Sequence, residues 1–245
     1  MIDTKDTLLI IPAYNESKTI GNVIVKIKNQ FPDLDILVID DGSSDSTDMI
    51  VRKHGINIIS LPFNMGYGVA LQTGYQYANN KNYQYVLQMD ADGQHEPECL
   101  NDLIMSIKNN KADIIIGSRF LSECNYGASW LRRLGMIIFS KITSLILKQK
   151  ITDPTSGFQA LNHKVLKFFT SEFYPSDYPD ADVIILLHRI GFRIKEIPVI
   201  MYSALNKGKI HNGLKPLYYV FKMFLSIIMI FLREKPYFYR KGNKL

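Results

Sequence analysis

Cysteine is almost absent: the 245-residue chain has two, Cys99 and Cys124. Two thiols cannot build a disulfide framework, and no CxxC or Cys/His metal spacing occurs, so a reducing, cytoplasmic compartment is the simpler reading. The N-terminal stretch MIDTKDTLLIIPAYNE lacks a basic leader, and its apolar run is four residues long before Pro12, so it reads as a first strand rather than a signal peptide. The apolar segment Leu217–Leu232 is sixteen residues, short of the roughly 20 that span a bilayer. There is no internal repeat and no low-complexity tract. With 47% hydrophobic and 21% charged residues the composition argues against disorder. The length suits one sizeable α/β core or two small domains.

Charge is present but unevenly placed. From Met201 to Leu245 there are nine Lys/Arg and one acid, Glu234, a balance of +8, while residues 1–200 carry 20 basic and 22 acidic groups. Basic residues beside long apolar runs point to an anionic membrane surface rather than to nucleic acid. On a helix, Lys215, Lys222, Ser226 and Arg233 share one stripe and leave an apolar face, as in a helix lying in the membrane interface. Trp130–Leu147 has a weaker version of the same pattern, with Lys141, Ser144 and Lys148 on one stripe. Packing on protein, or in a homo-oligomer interface, is the alternative for both.

Short apolar runs at Leu8–Ile11, Ile36–Ile39, Tyr85–Met89 and Ile114–Ile116 have the character of strands buried on both faces. Between them Ile20, Val23, Ile24 and Ile27, and again Leu100, Leu103, Ile104 and Ile107, follow helical spacing. Strand–helix alternation predicts a mostly parallel sheet flanked by helices, with ligands beyond the carboxyl ends of the strands. Those ends carry unusual chemistry: Pro12-Ala13-Tyr14-Asn15-Glu16, Asp40-Asp41-Gly42-Ser43, Asp90-Ala91-Asp92-Gly93 and Gly117-Ser118-Arg119. Later come a loop at Thr152–Phe158, a helical segment at Asp182–Arg189 and a strand-like piece at Arg193–Ile197.

Asp90 and Asp92, two apart at a strand end, point the same way and suit one hard divalent cation, Mg²⁺ or Mn²⁺. A solvated Asp-Gly turn is the plainer alternative. Asp41 is placed to accept hydrogen bonds from a ribose or base, although Ser44 or Asp45 in the same run also reads as a helix cap. Asn64 through Gly68 to Ala70 opens a helix, where glycines either admit a phosphate or simply pack.

Together these segments resemble the family 2 glycosyltransferases, and among them the polyprenyl-phosphate sugar transferases and related bacterial cell-envelope enzymes. The resemblance also takes in Asp153-Pro154-Thr155-Ser156-Gly157-Phe158 and Gly191–Pro198, in family order across residues 7–200. It implies the GT-A fold and inverting transfer from a nucleotide-sugar donor, UDP-linked by family prevalence, to a polyprenyl-phosphate or lipid-linked acceptor. Residues 1–120 would form the nucleotide-sugar half, 121–200 the acceptor half and 201–245 a membrane-associating or oligomerising segment, placing the enzyme peripherally on the inner face of the cell membrane. Pro12, Ala13, Tyr14, Glu16 and Asp41 match the nucleotide-holding positions, with Asn64, Gly68 and Ala91 lining the donor. Asp90, Asp92 and Gln94 match the metal set, and Arg119 and Arg133 the residues near phosphate. Asp153 and Asp182 match acceptor-side acids that would act as base; a turn before Pro154 and a helix N-terminus are their structural alternatives. The loop after the last strand departs from the family at Ala204, Lys207 and Lys209. His211 fits there either as a metal or phosphate contact or as a surface histidine. Two rivals differ in chemistry. A nucleotidylyltransferase would need a glycine-rich basic loop where Pro12–Glu16 is acidic and glycine-free, and a degenerate binding subunit would not need Asp41, Asp90, Asp92 and Asp182 all together.

Overall fold

The computed structural model describes residues 3–121, 130–175, 179–202 and 215–232, and their side chains except at 130–134 and 215–220. Cys124, His211 and the side chain of Arg133 lie outside that description.

The apolar runs form strands because both of their faces are covered. The first strand, β1 (Thr7–Ala13), is buried at every position. β2 (Asp35–Asp40) and β4 (Tyr85–Gln88) flank β1 in parallel, and β3 (Asn57–Ser60) extends the β2 side. β5 (Ile114–Ser118) pairs in parallel with β7 (Ile194–Pro198). Between β4 and β5 lies β6 (Gln159–Asn162), antiparallel to both, so β4 and β5 run in the same direction. The order is β3-β2-β1-β4-β6-β5-β7, one seven-stranded sheet that runs through both the 1–120 and 121–200 segments.

Two apolar layers cover this sheet. On one face α1 (Ile20–Gln30), α2 (Thr47–Lys53) and α4 (Leu100–Lys108) bury Ile20, Ile24, Ile27, Val51, Leu103 and Ile104 against Leu9, Ile11 and Val38. On the other, α3 (Tyr67–Asn80), α6 (His163–Phe169) and α7 (Ala181–Ile190) cover Leu8, Ile10, Leu37 and Ile39. Each fully buried aliphatic side chain contributes about 1.5–3 kcal/mol. α5 (Trp130–Leu147) and α8 (Lys215–Leu232) pack on α7. Helix α8 turns Met223 and Ile227 inward, while Phe221, Leu225, Ile228, Met229 and Leu232 are exposed. Ser226, on the polar stripe, faces the protein and donates to Asp182 Oδ2. No helix among the described residues is long and apolar enough to cross a membrane.

Because β1, β2, β4 and β5 are co-directional, their carboxyl ends open on one edge. Register fixes this closely: Ala13 lies beside Asp40, and Ile10 beside Gln88. Helix α3 reaches that edge by lying tight on β1. A Cβ at Gly74 would stand 2.7 Å from Ile10 Cγ2. Gly74→Ala should therefore destabilise the protein despite the better helix propensity of alanine, by about 1–2 kcal/mol net of overpacking and propensity. The urea midpoint measures this, and an unchanged or raised midpoint would refute so close a contact.

Candidate active site

The loops at the sheet edge are zipped together by side chains accepting main-chain N–H groups. Asn15, in a left-handed conformation at φ 56°, accepts from Ser44 N at 2.8 Å and donates its own N–H to Ser43 Oγ at 2.9 Å. Glu16 N donates to Thr47 Oγ1, and Ser17 N to Asp45 Oδ2. Asp41 Oδ1 accepts from Met65 N at 2.7 Å and Oδ2 from Gly66 N at 3.0 Å, so both of its oxygens hold the segment that leads into α3. The approach is close enough to demand glycine at the next position: Gly42 has φ 67°, and a Cβ there would lie 2.4 Å from the Phe63 carbonyl carbon. Tyr14 and Asn64 are exposed at the mouth, and Ala13, Gly68 and Ala91 are buried in its walls.

Three carboxylates face one another here. Burial pushes the Glu16 carboxyl above its ordinary value, Thr19 Oγ1 donating at 2.7 Å pulls it back, and Asp92, Asp45 and Asp90 push it up again by repulsion. Asp90 is likewise raised, first by burial and then by Asp92, with His95, Tyr67 and Arg119 working in the opposite direction. Asp92 accepts from Gln94 N at 3.0 Å and from the Gln94 side-chain amide. No cluster of three Asp, Glu, His or Cys side chains arranged for a metal occurs among the described residues. Two carboxylates and the Gln94 amide nonetheless fit Mg²⁺ or Mn²⁺, which take one or two carboxylates and complete their shell with water and phosphate oxygens. Gly157 packs close against Asp90, where a Cβ would sit 2.8 Å from Asp90 Oδ2 and 2.9 Å from the Tyr67 hydroxyl and so displace the carboxylate.

His95 and Tyr67 were not singled out by the motifs. His95 is buried, stacks on Phe158 at 4.7 Å and accepts Asp90 N–H at Nδ1, which places the neutral ring's proton on Nε2, 3.9 Å from Asp90 Oδ2. Burial holds its pKa below the ordinary value, partly offset by Asp90 and Asp92. A lone histidine after the acidic motif gives no spacing signal, whereas its bridge to Met201 needs the fold. Tyr67 donates to Asp90 Oδ1 at 2.8 Å.

The two acids proposed as bases are both enclosed. Asp153 is fully buried and pairs bidentately with Arg119, at 2.6 Å from Nε and 3.1 Å from Nη2. Glu196, another residue the motifs passed over, accepts from Asp153 N, Thr152 N and Thr152 Oγ1 and so holds the loop in place. Asp182 is 2% exposed and accepts from Asp180 N, Val183 N and Ser226 Oγ. Asp180, one residue outside α7, is half-buried and close enough to Tyr67 to raise its phenol pKa.

Residues 8–169 match the family described as Glycosyl transferase family 2. The chain belongs to this family. Among its relatives are a UDP-N-acetylglucosamine–dolichyl-phosphate N-acetylglucosaminyltransferase of Methanococcus voltae, 28% identical over 91% of this chain and 94% of that protein. Another is an undecaprenyl-phosphate mannosyltransferase of Micrococcus luteus, 28% identical over 84% of this chain and 88% of that one. In fold the glycosyltransferase resembles glucosyl-3-phosphoglycerate synthase from Mycobacterium tuberculosis, solved with Mn²⁺, UDP-glucose and phosphoglyceric acid. The TM-score is 0.69 at 19% identity, covering 91% of this chain and 79% of that one. The fold is GT-A.

Burial raises the Asp182 carboxyl above its ordinary value of 3.8, against the hydrogen bonds that lower it. The folded state then binds this proton more tightly than the unfolded state, so wild-type stability falls as pH rises from about 4 through the raised value. Asp182→Asn does not titrate, and its stability relative to wild type should climb over the same interval. Urea unfolding at several pH values tests this, and a difference flat in pH would rule out the buried, raised carboxyl.

Proposed function

We propose that this glycosyltransferase moves a sugar from a nucleoside-diphosphate donor, UDP-linked as the first candidate, to a polyprenyl phosphate or another lipid-linked phosphate at a membrane face. The observation that carries the acceptor class is the enclosure of Asp153 and Asp182. A hydroxyl acceptor needs a base within reach, and both candidate acids are buried and committed to other partners. A phosphate acceptor is already ionised and needs positioning instead. The names of the Methanococcus and Micrococcus relatives support the same class.

In this reading Pro12–Glu16 and the 41–45 segment hold the nucleotide, and Asp41 acts by keeping the Met65–Gly66 segment beside it. Asp90, Asp92 and Gln94 hold Mg²⁺ or Mn²⁺, which offsets charge on the departing diphosphate when bound. Arg119, fixed by Asp153, adds positive potential close enough to be felt at Asp90. An acceptor phosphate oxygen attacks the anomeric carbon from the side opposite the diphosphate; the new C–O bond forms as the old one breaks, and the configuration inverts. Asp153 and Asp182 serve as positioning groups.

The test pairs UDP-glucose, UDP-N-acetylglucosamine and GDP-mannose with undecaprenyl phosphate, with and without Mn²⁺. One donor should give a lipid-linked sugar only with metal, and Asp92→Asn should lower the rate at least about a hundredfold while leaving the melting temperature unchanged. Donor binding without transfer in any pairing would instead identify a non-catalytic subunit, and transfer undiminished in Asp92→Asn would remove the metal from the reading.

The exposed apolar face of α8, within the Met201–Leu245 segment that carries nine Lys/Arg and one acid, suits an anionic lipid surface. Ile137, Ile138 and Leu145 on α5 are also exposed. Flotation with phosphatidylglycerol vesicles should carry the protein up, and Leu225→Ser combined with Ile228→Ser should reduce the bound fraction several-fold. A soluble dimer that ignores vesicles would assign the face to a second copy.

A further inference from the structure

The donor set at Asp90 rests on a run of hydrogen bonds that starts deep in the core. Tyr75 is fully buried, its ring edge-on to Tyr174 at 5.5 Å and tilted on Phe169 at 5.1 Å. Its hydroxyl donates to Gln88 Oε1 at 2.6 Å. Gln88, the last residue of β4, donates from Nε2 to the Tyr67 oxygen at 2.9 Å. The Tyr67 hydroxyl in turn donates to Asp90 Oδ1 at 2.8 Å.

Each step in this run has one direction. Gln88 Oε1 receives the Tyr75 proton, so the other end of the amide must donate. That donated proton occupies the Tyr67 oxygen, and the Tyr67 proton is left to point at Asp90. A hydroxyl can donate or accept, so the acceptor-only Asp90 carboxylate sets these directions and with them the Gln88 amide orientation, and the Tyr67 phenol cannot turn away without orphaning a buried N–H. Every group on the run is anchored: Tyr75 and Tyr67 lie eight residues apart on α3, and Gln88 is within the sheet.

On the carboxylate side, Tyr67 holds Oδ1 while Oδ2 faces His95 Nε2 at 3.9 Å and lies close to Gly157. A carboxylate two residues from Asp92 has no salt bridge to Lys or Arg among the described residues, only the longer approach of His95. Its rotamer would otherwise be decided by repulsion from Asp92, which turns the two away from each other.

Resting on the metal-dependent reading above, we propose that Tyr67 is a positioning residue for the divalent cation. It holds Asp90 Oδ1 against the repulsion of Asp92, so that both carboxylates face the same ion before that ion arrives. Preorganised ligands bind a cation more tightly than ligands that must be brought together on binding. The substitution Tyr67→Phe keeps the ring and its packing and deletes only the hydroxyl.

The experiment is Mn²⁺ binding to the full chain in the presence of UDP, followed by the electron paramagnetic resonance signal of free Mn²⁺. Wild type, Tyr67→Phe, Gln88→Leu and Asp90→Asn are compared, with the melting temperature of each recorded. Tyr67→Phe should weaken Mn²⁺ binding about tenfold, in keeping with loss of a hydrogen bond to a charged group. Gln88→Leu, which frees the Tyr67 hydroxyl to rotate, should weaken it less and in the same direction. In turnover, Tyr67→Phe should raise the Mn²⁺ concentration needed for half-maximal rate while leaving the donor KM at saturating Mn²⁺ within about twofold, a separation that general loosening of the fold would not give. Mn²⁺ affinity within twofold of wild type in Tyr67→Phe, with Asp90→Asn deficient, overturns the role of Tyr67 alone. Equal Mn²⁺ binding by wild type and Asp90→Asn overturns the metal reading and the proposal with it.

Discussion

Repulsion between carboxylates is the constraint around which the site is arranged. Burial raises the proton affinity of Glu16 and Asp90, and the charge of Asp92 beside them raises both further. Left to themselves such groups spread apart or take up protons. Here the backbone and neutral side chains hold them: Thr19 on Glu16, Gln94 on Asp92, Tyr67 on Asp90. Neutral donors steady a carboxylate without cancelling its charge, so the site keeps its attraction for a cation. Among the described residues the strong cation felt at Asp90 is Arg119, which is paired with its own buried partner Asp153.

That arrangement depends on topology more than on any single motif. The antiparallel β6 between β4 and β5 lets the loop Asp153–Phe158 enter the sheet at the same edge from which the acidic loops leave. Gly157 consequently meets Asp90, Phe158 stacks on His95, and Ser156 donates to the Gly117 carbonyl. A fully parallel sheet would carry that loop to the opposite edge. The same crossing brings Asp153 to Arg119, which closes β5 against the loop.

Much of this was legible in the residues themselves. The runs Leu8–Ile11, Ile36–Ile39, Tyr85–Met89 and Ile114–Ile116 became β1, β2, β4 and β5 because an apolar run bounded by polar residues has few other ways to be buried on both sides. β3 and β6 were missed for opposite reasons. Asn57–Ser60 is a short edge strand with exposed ends, and Gln159–Asn162 is half polar, its amides satisfied by neighbours that only the fold supplies. At the site, spacing after an apolar run marked Asp90 and Asp92, and the family resemblance added Gln94; the strand itself stops at Gln88 and the chain turns at Ala91–Asp92. Spacing could not mark Tyr67 or His95, whose partners lie across the sheet. Nor could it say that Asp182 turns its carboxylate toward Ser226 on α8, because a helix N-terminus offers either direction to an acid at that position.

The Ser226 hydrogen bond also bears on how the C-terminal helix is used. An ordinary surface helix turns its polar side to water; α8 turns a serine to the protein and phenylalanine, leucine, isoleucine and methionine outward. Water is a poor solvent for that face, at about 25 cal/mol per Å² of apolar surface, so burying it against something apolar is favourable. The helix is held to α7 by Asp182, and α7 begins beside Asp180, within electrostatic reach of Tyr67. The exposed face of α8 is thus carried by a helix that joins, through Asp182 and α7, the border of the acidic site.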